Sequence, residues 1–259
     1  MSAPVFLAGE GTLDGIAAGQ TYLLDGQEGR HAGVVQRRTV GERIDVVDGA
    51  GVRLHTVIEE VGAEGLTLRV EAREDEPAPD PELVLVQALA KGDRDELAVE
   101  AATEVGVDAV VPWQAERSVV VWRGARAAKS QARWRATVRS AVKQSRRARK
   151  PRVEDALDSR ELAARVASTV AAGGAALVLH ESADDGLAGA LSWVAGARGE
   201  VLVVVGPEGG ISDRELEALA AAGARPVRLG PHVLRTSTAG PVALALLSHH
   251  LNRWSPPAR

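Results

Sequence analysis

The sequence predicts an α/β fold: a parallel sheet covered by helices, preceded by a small β-rich domain. Three observations point there. Short β-branched runs with tight turns fill residues 1–72. Three prolines, Pro77, Pro79 and Pro81, alternate among acids in the linker 73–82. From Leu83 onward, apolar strand runs alternate with helix-period segments through residue 259.

In the first domain the expected strands are Thr21–Leu24, His31–Val35, Arg43–Val47, Val52–Ile58 and Leu66–Val70. Turns at Asp25-Gly26, Gly41, Asp48–Gly51 and Gly62–Gly65 separate them, the pattern of a small barrel or sandwich. In the second, Leu83–Leu89 reads as a buried strand. Asp93 can cap a helix over Arg94 to Val105, with Glu96 three residues on. Val107–Pro112 is a strand, Ala127–Ala148 a basic helix, Ser159–Ala172 a helix and Ala175–Leu179 a strand. On the basic helix Trp134, Val138, Ala141, Val142 and Ser145 share one face. Ser212 to Glu215 has the spacing of a capping box. The last helix begins near Ser237 or Thr238 and ends near His250.

Composition narrows the function. The chain has 259 residues, 45% hydrophobic and 25% charged, and no cysteine, which excludes disulfides and thiolate chemistry. No apolar run is long enough for a membrane span, and the start at Met1 lacks a signal-peptide pattern, so a cytoplasmic protein is expected. The net charge of −4 hides one concentrated basic segment. Thirteen of the 31 Lys and Arg residues lie between Arg117 and Val153, a stretch without Asp or Glu. That suggests a polyanion site, with a solvated helix face as the plain alternative. The histidines show no ligand spacing, so no metal is expected.

Two loops carry the chemistry. Val201–Val205 leads into Gly206-Pro207-Glu208-Gly209-Gly210, and Val227–Leu229 leads into Gly230-Pro231-His232-Val233-Leu234-Arg235. Glycines 209 and 210 permit positive φ and close approach of a ligand to the backbone, and Ser212 starts a helix with free N–H groups. Either loop could be an ordinary strand-to-helix turn, and the hydroxyls of Thr236, Ser237 and Thr238 could simply cap the last helix. Neither loop is a dinucleotide fingerprint or a Walker loop.

The pair Val205–Ile211 and Leu229–Ala239 resembles the signature of the RsmE family, bacterial 16S rRNA uridine-N3 methyltransferases of the SPOUT superfamily. The likeness extends to Lys91, Thr103–Val107, Pro112, Glu116–Ser118, Trp134, Ala141–Arg147 and Pro151. Glu28–His31, Arg37, Arg38, Gly41, Glu42, Asp48 and Gly49 are similar to that family's PUA-like barrel. It implies a C-terminal trefoil knot binding S-adenosylmethionine through Leu179, His180, Glu181, Gly206, Pro207, Glu208, Gly209, Gly210, Leu229, Gly230, Val233, Leu234 and Arg235. It also implies a homodimer acting on 16S rRNA of the small ribosomal subunit. Arg235 and Arg117 are expected at the target base, and Glu208 or His232 at its proton. Arg37, Arg38, Arg117, Arg139, Lys143, Arg146 and Arg147 are expected to meet RNA. The sequence departs from the family at Ala101, Val105, Ile211 and Ser237. A serine at 237, where the family often has glutamate, argues against an obligatory base there. A different RNA target (ribose 2′-O or transfer RNA) and a non-catalytic ribosome-binding protein are the alternatives.

Overall fold

The computed structural model describes residues 3–254, so Met1 and Ser2, where a leader pattern was sought, and residues 255–259 lie outside it. The chain divides into two compact units, one of residues up to Ala78 together with Arg139–Lys150, the other of Pro79–Val138 and Pro151 onward.

The first unit is a curled five-stranded sheet in the order β1-β3-β4-β5-β2. The strands are β1 (Val5–Leu7), β2 (Thr21–Asp25), β3 (Arg43–Val47), β4 (Val52–Val61) and β5 (Gly65–Asp75). Only β1–β3 is parallel; the other pairs are antiparallel. The β3–β4 turn is built by Asp48, whose Oδ1 accepts from the N–H groups of Ala50, Gly51 and Val52 at 2.7, 3.0 and 3.0 Å. Phe6, Leu13, Leu24, Ile44, Val46, Leu54, Ile58, Leu66 and Leu68 fill the core.

His31–Val35 is not the expected strand. Helix α1 (Gly26–Arg30) continues into a π-helical turn over His31–Val35. Ala32 is buried there while Val34 and Val35 stand in solvent, so their β-branched side chains have no sheet neighbour to satisfy.

Glu28 anchors the rest of this unit. It is buried, and its carboxylate accepts from Arg139 Nη2 at 2.7 Å, Lys143 Nζ at 2.8 Å and the Leu7 N–H at 3.4 Å. Burial pushes its pKa up, but Lys143, Arg139 and the Leu7 N–H outweigh it and hold the group below the usual glutamate value. The stability this contributes is fully present above the unfolded pKa of about 4.3 and is lost as pH falls through the lower folded value. Glu28→Gln is therefore expected to cost about 1–3 kcal/mol at pH 7. The gap to wild type should narrow as pH falls below about 4.3 and close below the lower folded value. Urea titrations at both pH values check this; a pH-independent gap would contradict it.

The second unit is a seven-stranded sheet, every pairing parallel, in the order β12-β10-β11-β6-β7-β8 with β9 also on β7. The strands are β6 (Glu82–Ala88), β7 (Ala109–Gln114), β8 (Arg152–Val153), β9 (Leu157–Asp158), β10 (Ala175–Leu179), β11 (Glu200–Val205) and β12 (Arg225–Val227). Alternate residues face opposite layers. Val84, Val86, Val111, Trp113, Val178, Leu202 and Val204 pack with Leu162, Val166 and Leu219 from α4 (Ser159–Ala171) and α6 (Asp213–Ala221). On the other face lie α2 (Arg94–Val105) and α7 (Thr236–His250), with α5 (Leu187–Ala195) beside α7. Gly240 lets α7 approach closely, since a Cβ there would stand 2.7 Å from Leu85. Helix α3 (Ala125–Ser145) belongs to this unit up to Val138, where it buries Trp134 and Val138, and to the first unit from Arg139, where it buries Ala141 and Val142.

Some local expectations change. Asp93 precedes α2 at φ +60° and makes no side-chain cap, because it turns the chain through the left-handed region instead. The last helix starts earlier than expected, at Thr236, as the Arg235 carbonyl accepts from both Thr238 and Ala239 N–H at 2.9 Å.

Candidate functional site

The site lies at the C-terminal ends of β10, β11 and β12, the side of a parallel sheet where ligands bind. Three segments converge. β10 ends at Leu179, and the His180 N–H donates to the Val227 carbonyl at 3.0 Å, tying the β10 end to β12. β11 ends at Val205, and the chain turns through Gly206–Gly210, with the Gly210 N–H on the Pro207 carbonyl at 2.9 Å and Gly210 at φ +74°. The stretch from Arg228 to Arg235 then leads into α7.

These segments enclose two contiguous hollows. One, about 130 Å³, is lined by Leu179–Glu181, Arg228–Leu234 and Ala239. The other, about 330 Å³, shares Leu179–Glu181, Val233, Leu234 and Ala239 and adds Arg94, Val205–Glu208, Gly210, Ile211, Arg235 and Thr236. Among the residues expected to hold a cofactor, Leu179, His180, Glu181, Gly206, Pro207, Glu208, Gly210, Leu229, Gly230, Val233, Leu234 and Arg235 line this double cavity. Gly209 stands at its back, where its carbonyl accepts from Arg117 Nη1 at 3.3 Å.

Arg117 therefore braces the glycine loop from outside, reaching the Ile211 carbonyl as well at 3.5 Å. Behind it sits a polar hub. Buried Glu215 accepts from the Ser212 N–H (3.0 Å), the Glu116 N–H (2.8 Å) and Ser159 Oγ (2.5 Å). The first of these contacts is one half of the capping box expected over Ser212–Glu215. Glu116 in turn accepts from Arg214 and from Ser212 Oγ at 2.8 Å, contacts that hold its pKa below the usual glutamate range.

A second chain of bonds ties the cavity floor together. Gln87 Nε2 donates to Thr236 Oγ1 at 2.8 Å, and Thr236 Oγ1 donates to the Gly206 carbonyl at 2.7 Å. The Thr236 hydroxyl thus joins the two loops instead of capping α7. At the rim, Glu208 Oε1 accepts from the Lys91 N–H at 3.1 Å and Arg94 Nη1 at 2.9 Å. Gln87, Arg94, Glu215 and Thr236 were missed as site residues. Arg94 left a signal: a cation at the first helical position opposes the helix dipole and asks for another reason to be there.

The arginines expected to meet RNA are variously placed within their own units. Arg139 and Lys143 are engaged by Glu28, and Arg38 pairs with Glu42 at 2.9 Å. Arg37 is exposed at φ +52°. The Arg146 carbonyl accepts from Arg53 at 2.8 Å, and Arg147 has an interaction partner as well.

Comparison with known proteins now bears on this geometry. A family model described as an RNA methyltransferase domain matches residues 76–248. The ribosomal RNA small subunit methyltransferase E of Mycobacterium tuberculosis is 49% identical over 236 residues, covering 91% of this chain and 89% of that one. The chain belongs to the ribosomal RNA small subunit methyltransferase E family. The Bacillus subtilis member is 30% identical over 242 residues, 92% of this chain and 93% of its own. The crystal structure of the Neisseria gonorrhoeae member, bound to S-adenosyl methionine, superposes with a TM-score of 0.81 at 27% identity, covering 96% of this chain and 98% of that one. That structure thus has counterparts of both units, the curled sheet and the parallel sheet.

Proposed function

We propose that this ribosomal RNA methyltransferase moves a methyl group from S-adenosylmethionine to N3 of a uridine in 16S rRNA of the small subunit. The double cavity between Gly206–Gly210 and Leu229–Arg235 carries this reading.

Its lining suits that cofactor. Leu179, Val205, Val233, Leu234 and Ala239 give apolar walls for a flat base, with Val233 77% exposed and free to be covered. Gly230 has open space where a Cβ would stand, so the backbone can lie against a ligand. The carboxylates of Glu181 and Glu208 suit a cationic sulfonium and ammonium, and Arg94 and Arg235 suit a carboxylate or an RNA oxygen. Bound there, S-adenosylmethionine supplies an already activated methyl group. The chain's own residues must then align the base and stabilise the charge left when the N3 proton departs. Arg235, at the cavity mouth, is proposed to face the target. Arg117 keeps the glycine loop in position through its two carbonyl contacts. The target uridine has to leave its stack to reach the cavity.

The deciding experiment is methyl transfer to small subunits from cells lacking the enzyme, with mass spectrometry of the product nucleotide. A ribose 2′-O-methyl product or a transfer-RNA acceptor would replace the reading. Absence of S-adenosylmethionine binding by calorimetry would favour a non-catalytic ribosome binder.

The homodimer belongs to the same proposal. A groove of about 690 Å³ between α5 and α7 is lined by Leu187, Leu191, Leu246, His249 and His250, and also by Leu229, Gly230 and Pro231 of the cavity loop. Leu246 is 46% exposed there. A second copy covering this groove would also buttress the cofactor loop. Leu246→Glu is expected to yield a monomer by analytical ultracentrifugation and to weaken cofactor binding about tenfold. A variant that stays dimeric would place the interface elsewhere. Among the described residues no helix is long and apolar enough to cross a membrane, and action in the cytoplasm, on ribosomal subunits, completes the proposal.

A further inference from the structure

We infer that Arg94 is a further substrate-contacting residue, its guanidinium meeting a carbonyl oxygen of the target base, and that Glu208 orients Arg94 and does not take the N3 proton. The inference rests on the uridine-N3 reading above.

Arg94 lines the larger hollow together with Gly206, Glu208 and Arg235, and is absent from the smaller one bounded by Leu229–His232. It therefore stands at the end of the cavity away from that loop. Arg117, by contrast, lines neither hollow and spends its guanidinium on the Gly209 and Ile211 carbonyls.

A guanidinium has five N–H donors, and Arg94 commits Nη1 to Glu208 Oε1 at 2.9 Å. The side chain is 41% exposed, so the remaining donors are open to a ligand. Its place at the start of α2 costs dipole energy, which local helix formation does not recover. When N3 of a uracil loses its proton, negative charge spreads onto the flanking carbonyl oxygens. A fixed guanidinium on one of them stabilises that anion and leaves the N3 lone pair free to attack.

Glu208 Oε1 holds both the Lys91 N–H and Arg94 Nη1, so it fixes the corner from which Arg94 projects. Partial burial works to raise its pKa. The N–H groups of Glu208 and Lys91 and the Arg94 guanidinium outweigh that and hold it below the ordinary glutamate value. A carboxylate stabilised in this way is a weak base, and the N3 proton leaves to solvent.

The test uses the full chain, intact small subunits and S-adenosylmethionine. Arg94→Ala is expected to lower kcat about 100-fold while the calorimetric Kd for S-adenosylmethionine stays within about twofold. Added guanidinium should restore part of the rate, and Arg94→Lys should fall between wild type and Arg94→Ala. Glu208→Gln should lose about tenfold or less and keep the wild-type pH profile of kcat. Wild-type kcat in Arg94→Ala overturns the assignment. So does a rate loss that tracks weakened cofactor binding, which would put Arg94 on the cofactor carboxylate. A Glu208→Gln variant that loses the ionisation governing kcat would restore Glu208 as the base. A wild-type chain that binds the cofactor but leaves N3 unmethylated overturns the underlying functional reading, independently of any Arg94 variant.

Discussion

Glu215→Ala is expected to destabilise the parallel-sheet unit by on the order of 3 kcal/mol. The carboxylate is 2% exposed and serves donors from three segments: Glu116 after β7, Ser159 at the start of α4, and Ser212 before α6. Alanine would leave the Glu116 and Ser212 N–H groups without their acceptor in a buried place, and an unpaired buried donor costs about 1–3 kcal/mol. For a unit of this size the thermal midpoint should fall by roughly 6–12 °C. Cofactor binding should weaken with it, since the hub holds both the Arg117 loop and the start of α6 against the glycine loop. Glu215→Gln keeps the acceptor oxygen and should recover much of the loss. A midpoint for the alanine variant within about a degree of wild type would show that water replaces the carboxylate without cost.

Arg235→Ala should leave the fold intact and remove most of the activity. Arg235 is exposed, makes no side-chain cap on α7 and lines the larger hollow. Its backbone carbonyl, which starts the helix, survives the substitution. A loss of about 100-fold in kcat is expected, the scale for removing one donor aimed at developing charge. The thermal midpoint and the affinity for S-adenosylmethionine should barely change. Full activity in this variant would remove Arg235 from the mechanism.

Legibility in the sequence followed the range of the interaction. The glycine loop, the β10 end and the capping box were readable because strand, turn and cap signals are local. Gln87–Thr236 and Glu116–Glu215 were not, since their partners stand 149 and 99 residues apart. The basic segment teaches the same lesson differently. No acid lies inside it, yet Arg139 and Lys143 find Glu28, Arg152 finds Glu82, and Arg133 finds Glu96. Absence of acids nearby in sequence says nothing about acids nearby in space. Among the described residues Arg123, Arg126, Lys129 and Arg135 make no ion pair. The β-branched content of His31–Val35 suggests a strand, but no neighbouring strand pairs with it and the segment forms a π-helical turn.

The hydrogen-bond chain from Gln87 through Thr236 to Gly206 has a bearing on how the molecule assembles. It links β6, the start of α7 and the end of β11. A form of the chain with the parallel sheet in place but α7 undocked would lack one wall of the double cavity. Binding competence therefore requires α7 to be docked, and ligand added during refolding should report the docking of that one helix, not the growth of the sheet.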